Sequence, residues 1–386
     1  MSIQNVCASH DPPDEWRGHE NQARKITDMA AREGRPTIID VARRAGVSFK
    51  TVSRVLNNNP HVATDLRERV LKAAADLDYR ANVAARSLAG QRTYTLALLI
   101  EIRMTDLHGE DDWYLPAFLS DLQFAAMLAC QKAGYRLTIE ICDTSADAPP
   151  PALPAGITRA DIDGIIVAPP LCDRIEMVDA LDASGIPYVL IAPGLDVPNA
   201  RSVATDEYGG AAAMTRYLLD QGHRRIAFVQ GPAGHRAAAA RLRAYRDALA
   251  AFDATLQPMI EQGGFTFASG YRAAQALLAM TKPPTAIFCA NDDMAAGAIA
   301  AATRRGIRVP DQLSIAGFDD SAVARITAPA LTTVRQSFGA MASAAVRLLS
   351  AGESGADTEP RQRILPYKII ERASIAPLIG TAPPTS

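Results

Sequence analysis

The reading of this chain turns on "GVSFKTVSRVLNNNP", residues 46–60. Val52, Val55 and Leu56 are spaced to share one face of a helix, while Phe49, Lys50, Ser53, Arg54 and Asn57 share the opposite one. Ser48 stands at the N-cap position, where a hydroxyl accepts from a first-turn N–H. Gly46 marks a turn too tight for a side chain. The preceding "TIIDVARRA" (37–45) predicts a first short helix, capped by Thr37, with Ile38, Ile39, Val41 and Ala42 inward. A third helix is expected up to residue 78, capped by Thr64, with Leu66, Val70, Leu71 and Leu77 inward. Two helices across a glycine turn, the second polar and basic, fit a helix-turn-helix unit. On pattern alone, an amphipathic helix with a solvated charged face fits equally well, and both readings stand at this point.

Charge sharpens the contrast between this segment and the rest. Residues 36–92 carry ten Lys/Arg and five Asp/Glu, a net of +5, in a chain whose total is −2. A small basic block on an acidic body suits a nucleic-acid-binding head on a larger module. From residue 94 the rhythm changes to short apolar runs separated by helix-like segments: "TLALLI", "YRLTIEI", "DGIIVAPP", "IPYVLIAP", "RRIAFVQGP", "PTAIFCAND" and "LSIAGFDD". This βαβ alternation predicts parallel, doubly wound sheets, and the number of runs favours two sub-domains with a cleft between them. Several runs end in Gly, Pro, Asn or Asp, where a ligand at the carboxyl ends of the strands would be met. "ILPYKII" (364–370) reads as one last strand.

Composition excludes several classes. No run of about 18 uncharged apolar residues exists, and residues 1–25 lack a basic-then-apolar signal pattern, so a cytoplasmic protein without a membrane partner is expected. The five cysteines are scattered without a C-x-x-C pair, which argues against a disulfide frame or a zinc site. No Walker loop, G-x-S-x-G elbow, H-E-x-x-H or metal-spaced histidine set is present, so neither an enzyme nor a metal or other cofactor is expected. His223, in "QGHRRIAF", reads as structural.

The segment "TIIDVARRAGVSFKTVSRVLNNNPHVATDLRERVLKAAADLDYRANVAARSLAG" (37–90) resembles the DNA-binding head of the lactose-repressor/galactose-repressor (LacI/GalR) family. The resemblance continues to about residue 370 through "DEYGGA", "RLRAYRDAL", "ANDDMAAGAI" and "SIAGFDD". It implies an all-α helix-turn-helix head on an α/β periplasmic-binding-protein-like body of two doubly wound sub-domains. It further implies a homodimeric transcriptional regulator, a repressor by expectation, that binds double-stranded operator DNA under control of a small effector. By position, Phe49, Lys50 and Arg54 match the side chains that enter the major groove. Ser48, Thr51, Ser53, Asn57 and His61 match backbone contacts, and Thr37 and Tyr79 join the DNA-facing set. "NVAARSLAG" matches the family hinge, adding Asn82, Ala85, Arg86 and Leu88; Leu88 matches a minor-groove wedge. In the body, Arg241, Asp292 with Asn291, Phe265 and Phe118 match effector contacts, with Asp206 as further cleft lining and Asp319 structural. An arginine, an acid and flat rings suit a carbohydrate, with a purine, nucleoside or other non-sugar effector as the alternative.

The implied organisation is a disordered tail (1–35), a helix-turn-helix domain (36–81), a hinge (82–92), an effector-binding and dimerisation body (93–375) and a flexible tail (376–386). Translation from Met1 or from Met29 is equally compatible with the sequence. Two departures from the family stand out. Asp78-Tyr79-Arg80-Ala81-Asn82 replaces the usual Gly-Tyr-Arg-Pro-Asn, which puts hinge stiffness in doubt. "EIRMTDLHGEDDWYLPAF" (101–118) is longer than the usual loop and carries Trp113 and Tyr114 near the expected cleft mouth.

Overall fold

The computed structural model describes residues 36–56, 61–79, 92–102, 115–143, 153–154, 157–194, 197, 199–351 and 360–378. The chain divides into two units, residues 1–93 and 94–386.

In the first unit the expected turn forms at Gly46, whose φ of +65° is a left-handed conformation that glycine takes without a Cβ penalty. It joins α1 (Ile38–Ala45) to α2 (Phe49–Leu56), and α3 (Thr64–Asp76) completes the bundle. Val41, Val52 and Val70, one from each helix, are fully buried at the centre. Thr37 and Asp40 form a reciprocal capping box: the Asp40 N–H donates to Thr37 Oγ1 (3.3 Å) and the Thr37 N–H to Asp40 Oδ2 (2.9 Å). The Thr51 N–H donates to Ser48 Oγ at 3.2 Å, so Ser48 caps α2 as its position predicts. Arg69 of α3 donates to the Ala45 carbonyl at 2.7 Å and ties the third helix to the end of the first. Two expectations for α3 fail. Thr64 is the first helical residue and Ala63 occupies the cap without a side-chain bond, and Leu71 is 48% exposed because Ala73 and Ala74 take the inward positions.

The second unit contains two six-stranded sheets. The first has the order β11-β5-β4-β3-β1-β2 and is parallel throughout: β1 (Thr95–Ile102), β2 (Arg136–Asp143), β3 (Gly164–Val167), β4 (Tyr188–Ile191), β5 (Arg201–Thr205) and β11 (Gln362–Leu365). The second has the order β12-β10-β9-β8-β6-β7: β6 (Ile226–Gln230), β7 (Met259–Gln262), β8 (Ala286–Cys289), β9 (Ser314–Asp319), β10 (Thr332–Arg335) and β12 (Lys368–Ile370). Among the described strands only β12 runs antiparallel to its neighbour. The central strands β3, β8 and β9 are buried along their whole lengths, as parallel strands covered on both faces must be. Helices α4 (Ala117–Ala133), α5 (Ile175–Ser184) and α11 (Phe338–Ser350) serve the first sheet. Helices α6 (Glu207–Asp220), α7 (Arg236–Phe252), α8 (Phe267–Leu278), α9 (Asp292–Arg304) and α10 (Ala322–Ile326) serve the second.

The chain passes between the sub-domains three times: from β5 to α6, from β10 to α11, and from β11 to β12. The last passage corrects the expectation of one strand over "ILPYKII". Pro366 has no N–H for a ladder, and the chain leaves one sheet after Leu365 and joins the other at Lys368.

Two carboxylates also cross between the sub-domains, each at the start of a helix on the other side. Asp293 Oδ2, on α9, accepts the Ala117 N–H that opens α4 at 3.2 Å. Asp121 Oδ2, on α4, accepts the Ala322 N–H that opens α10 at 3.3 Å. Neither helix has a side-chain cap of its own, since Pro116 and Ser321 make no such bond. Each orphan first-turn donor is therefore satisfied in trans.

Candidate DNA-reading face and ligand cleft

The head holds its polar face on a helix whose other side is locked. Val52 and Val55 anchor α2, and Phe49, Lys50 and Arg54 project to solvent, Phe49 with 49% of its surface exposed. An exposed phenylalanine is costly for a surface that has nothing to meet. Neither Lys50 nor Arg54 enters an ion pair among the described residues. Thr51 and Ser53 are half-buried at the flanks of this face, and Ser48 and His61 are exposed. Tyr79 is half-buried against the helical core. Thr37 is buried to 8% exposure, its hydroxyl donating to Asp40 at 2.7 Å, so its work is local capping. Asn57, Asn82, Ala85, Arg86 and Leu88 lie outside the described residues, as do Trp113 and Tyr114.

The body carries a cleft between its sub-domains. Phe118 of α4, Arg241 of α7, Phe265 and Asn291 line it together, four of the six side chains expected there. They come from both sub-domains: Phe118 packs against the first core and Phe265 against the second. The chain passages put Glu207, Gln336 and Phe338 into the same wall. Glu207 lies within "DEYGGA", yet nothing in that motif or around Gln336 and Phe338 marks these side chains as cleft residues, because only the crossing points of the chain bring them here. Asp319, read as structural, also lines the cleft, and Gln336 donates to it at 2.8 Å.

The other two expected residues stand elsewhere. Asp206 caps α6, is exposed, and accepts the Gly209 N–H at 2.8 Å. Asp292 is 1% exposed, behind the cleft wall. Its carboxylate accepts from Thr333 Oγ1 (2.6 Å), the Ser321 N–H (2.8 Å) and Ser321 Oγ (3.1 Å). Burial raises the Asp292 pKa, and these three bonds oppose the rise. Asp292 thus braces the start of α9 against β10, while its neighbour Asn291 faces the cleft and caps α9 through the Met294 N–H at 3.0 Å.

Arg241 is the hub. Its Nε donates to Glu207 Oε2 at 2.6 Å, its Nη1 donates to the Ala290 carbonyl, and its Nη2 lies 3.7 Å from Asp319 Oδ1. The guanidinium carbon sits 3.8 Å from the Phe318 ring centroid and 5.9 Å from that of Phe265. Burial works against the Arg241 charge, but Glu207 and Asp319 outweigh it and raise its pKa. His235, at the start of α7, meets Phe265 edge-on with centroids 5.0 Å apart. Burial, then the Arg241 charge, pushes the His235 pKa down to about 4, so the ring is neutral at physiological pH. Nδ1 accepts from the Ala238 N–H at 3.4 Å, so the neutral tautomer carries its proton on Nε2.

Backbone strain concentrates here. Among the described residues six non-glycine positions have positive φ, and three of them line the cleft: Ala192 (46°), Phe265 (61°) and Asp319 (117°). Each costs on the order of 1–3 kcal/mol and persists where the surroundings over-determine it, a pattern typical of binding sites. Gly231 leaves room for the Phe265 ring, because a Cβ there would lie 2.4 Å from Phe265 Cζ. Away from the cleft, His223 bonds Thr285 Oγ1 and Ser314 Oγ, each at 3.0 Å, and is structural as its sequence context predicts.

Comparison with known proteins agrees with both halves. Residues 37–82 match the family model for bacterial regulatory proteins of the lacI family, and residues 215–375 match a periplasmic binding protein-like domain. The transcriptional regulator AscG of Escherichia coli is 33% identical over 340 residues, covering 88% of this chain and 98% of that protein. A structure of the regulator CelR in complex with cellobiose is 31% identical with a TM-score of 0.60, covering 88% of this chain and 100% of that one. A lac repressor dimer bound to operator and the anti-inducer ONPF is 26% identical with a TM-score of 0.62, covering 89% and 99% respectively. The chain belongs to the LacI family and is a DNA-binding transcriptional regulator with a helix-turn-helix head and a periplasmic-binding-protein-like body. No helix among the described residues is long and apolar enough to cross a membrane.

The depressed His235 pKa has a measurable consequence. The unfolded chain takes up a proton near the ordinary value of 6.5, whereas the folded chain does not until about 4. The His235 contribution to stability is therefore present above pH 6.5 and lost as pH falls toward 4. His235→Gln should flatten this acid arm in thermal melts taken at stepped pH. An arm of unchanged slope contradicts the assignment.

Proposed function

We propose that this regulator represses transcription as a homodimer and that a sugar in the body cleft controls its operator affinity. The observation that carries the effector reading is the convergence of Arg241, Asn291, Phe118 and Phe265 on one cleft between two sub-domains. Fixed polar groups for hydroxyls beside flat apolar rings suit the two faces of a pyranose. The cellobiose complex of CelR, similar over most of both chains, supports the same class. The three chain passages and the two trans caps let a ligand bias the relation of the sub-domains, because any change in cleft width must act on them.

At the DNA end, Phe49, Lys50 and Arg54 enter the major groove in this reading. Arg54 and Lys50 donate to guanine acceptors and Phe49 meets a thymine methyl. Ser48, Thr51, Ser53, Asn57, His61 and Tyr79 hold the backbone. Leu88, with Asn82, Ala85 and Arg86 around it, wedges into the minor groove.

Dimerisation is supported by an apolar surface on the first sub-domain. Phe124, Met127 and Leu128 on α4 are 59%, 48% and 38% exposed, and Ile139 and Ile141 on the edge strand β2 are 45% and 50% exposed. An edge strand and a helix both presenting large apolar side chains mark a surface that meets a partner. The lac repressor dimer on its operator supports two-fold pairing as the partner arrangement.

Arg54→Ala is expected to weaken operator binding by about 1–3 kcal/mol and to relax specificity at one base pair, read by anisotropy on duplexes selected from a random library. Undiminished affinity with unchanged base preference removes Arg54 from the recognition face. Phe124→Arg is expected to give a monomer by light scattering, with operator affinity falling alongside. A variant that stays dimeric moves the interface elsewhere.

A further inference from the structure

The charge state of the cleft specifies the chemistry of its ligand more narrowly than "a sugar". An arginine in a binding site normally suggests an anion, because its fork of N–H groups matches carboxylate or phosphate. Arg241 does not offer an uncompensated charge for that role. Each of its three nitrogens already faces a protein oxygen: Glu207 Oε2, the Ala290 carbonyl and Asp319 Oδ1. Its ring-like face is covered by Phe318. The Arg241 and Glu207 side chains are 5% and 12% exposed, so this pair is a built part of the wall.

The other ionisable groups in the lining reinforce the point. Two carboxyls, Glu207 and Asp319, stand against one guanidinium, and His235 is neutral. No lysine and no second arginine lines the cleft among the described residues. Among the described residues the lining is therefore at most neutral, whichever way the Asp319 proton lies, and these groups disfavour added negative charge at short range. Its unspent capacity is for receiving hydroxyls. Glu207 Oε1 is buried and has no hydrogen-bond partner among the described residues, an acceptor left over once Oε2 has taken Arg241. A buried acceptor without a partner is costly, and a ligand hydroxyl repays that cost. His235 Nε2–H adds one donor for a ligand oxygen.

We propose that the cleft selects an uncharged polyhydroxyl ligand and rejects the phosphorylated or carboxylated form of the same molecule, with Glu207 as the discriminating residue. The proposal rests on the sugar reading of this cleft and narrows it. Glu207 acts twice: one oxygen neutralises and occupies Arg241, and the other receives a ligand hydroxyl. A phosphate or carboxylate in the same place would meet Glu207 and Asp319, and the one guanidinium beside them is already charge-compensated by Glu207.

Calorimetry on the full chain with matched pairs tests this: cellobiose and cellobionate, glucose and glucose 6-phosphate, ribose and ribose 5-phosphate. The neutral member of a binding pair should bind at least roughly tenfold tighter than its anionic partner. In Glu207→Gln, which keeps the shape and removes the charge, that ratio should narrow by about the same factor. Circular dichroism reports whether the variant folds, and the wild-type pairs decide the charge rule without it. An anionic member binding wild type as tightly as its neutral partner overturns the proposal while the sugar reading stands. A folded Glu207→Gln protein with an unchanged ratio overturns the role of Glu207. Silence from every sugar, neutral or charged, at millimolar concentration defeats the sugar reading and this proposal with it.

Discussion

One buried guanidinium organises the body of this regulator. Arg241 on α7 reaches Glu207 at the start of α6, the Ala290 carbonyl after β8, and Asp319 and Phe318 on β9. A buried charge persists only when it is paired and hydrogen-bonded, and removing one partner of such a pair typically costs about 3–5 kcal/mol. The elements that carry these partners are therefore held to one another through the ligand wall itself. The strained backbones of Phe265 and Asp319 sit beside it, kept in place by the packing that the pairing requires. Binding geometry and sub-domain integrity depend on the same contacts.

This arrangement explains how a cleft event can be felt elsewhere in the body. Glu207 follows the first chain passage between the sub-domains, and Gln336 and Phe338 belong to the second. Asp121 and Asp293 add reciprocal caps, each finishing a helix that has no cap of its own. A ligand that bridges Phe118 on one side and Phe265 on the other would load these connections directly. Small displacements in so tightly packed a wall convert into discrete rearrangements, because packed interfaces are not continuously deformable.

Much of this was legible in the residues. The glycine turn at 46, the caps at Thr37 and Ser48, and the opposed faces of residues 49–56 specify the head almost completely, because local periodicity and capping chemistry decide it. The βαβ rhythm announces the two sheets through their long, wholly apolar central strands such as "GIIV" and "AIFC". The short strands "RSVAT", "MIEQ" and "TTVR" were not legible, since four or five mixed residues carry no distinguishable period. Leu71 and Thr64 show the limit within a helix, where alanines took the inward positions and the chain entered without a side-chain cap. At the cleft, residues borne on motifs (Arg241, Asn291) were found. Residues delivered by chain passages (Gln336, Phe338, and Glu207 even though it lies within "DEYGGA") were not, because their proximity is a property of topology. Asp292 and Asn291 are adjacent in sequence, yet one braces the wall and the other faces the ligand space, a distinction only the fold can make.

The central claim is that ligand occupancy of the cleft and operator affinity of the head are one coupled equilibrium. Coupling between two sites is reciprocal, so each ligand changes the affinity of the other by the same factor. The most direct test is to measure the operator affinity of the full chain while titrating a sugar that binds the cleft, and then the sugar affinity with operator saturating. The account predicts a change of at least roughly fivefold in operator affinity and an equal change in sugar affinity. Operator affinity that stays constant from sugar-free to sugar-saturated protein would contradict it.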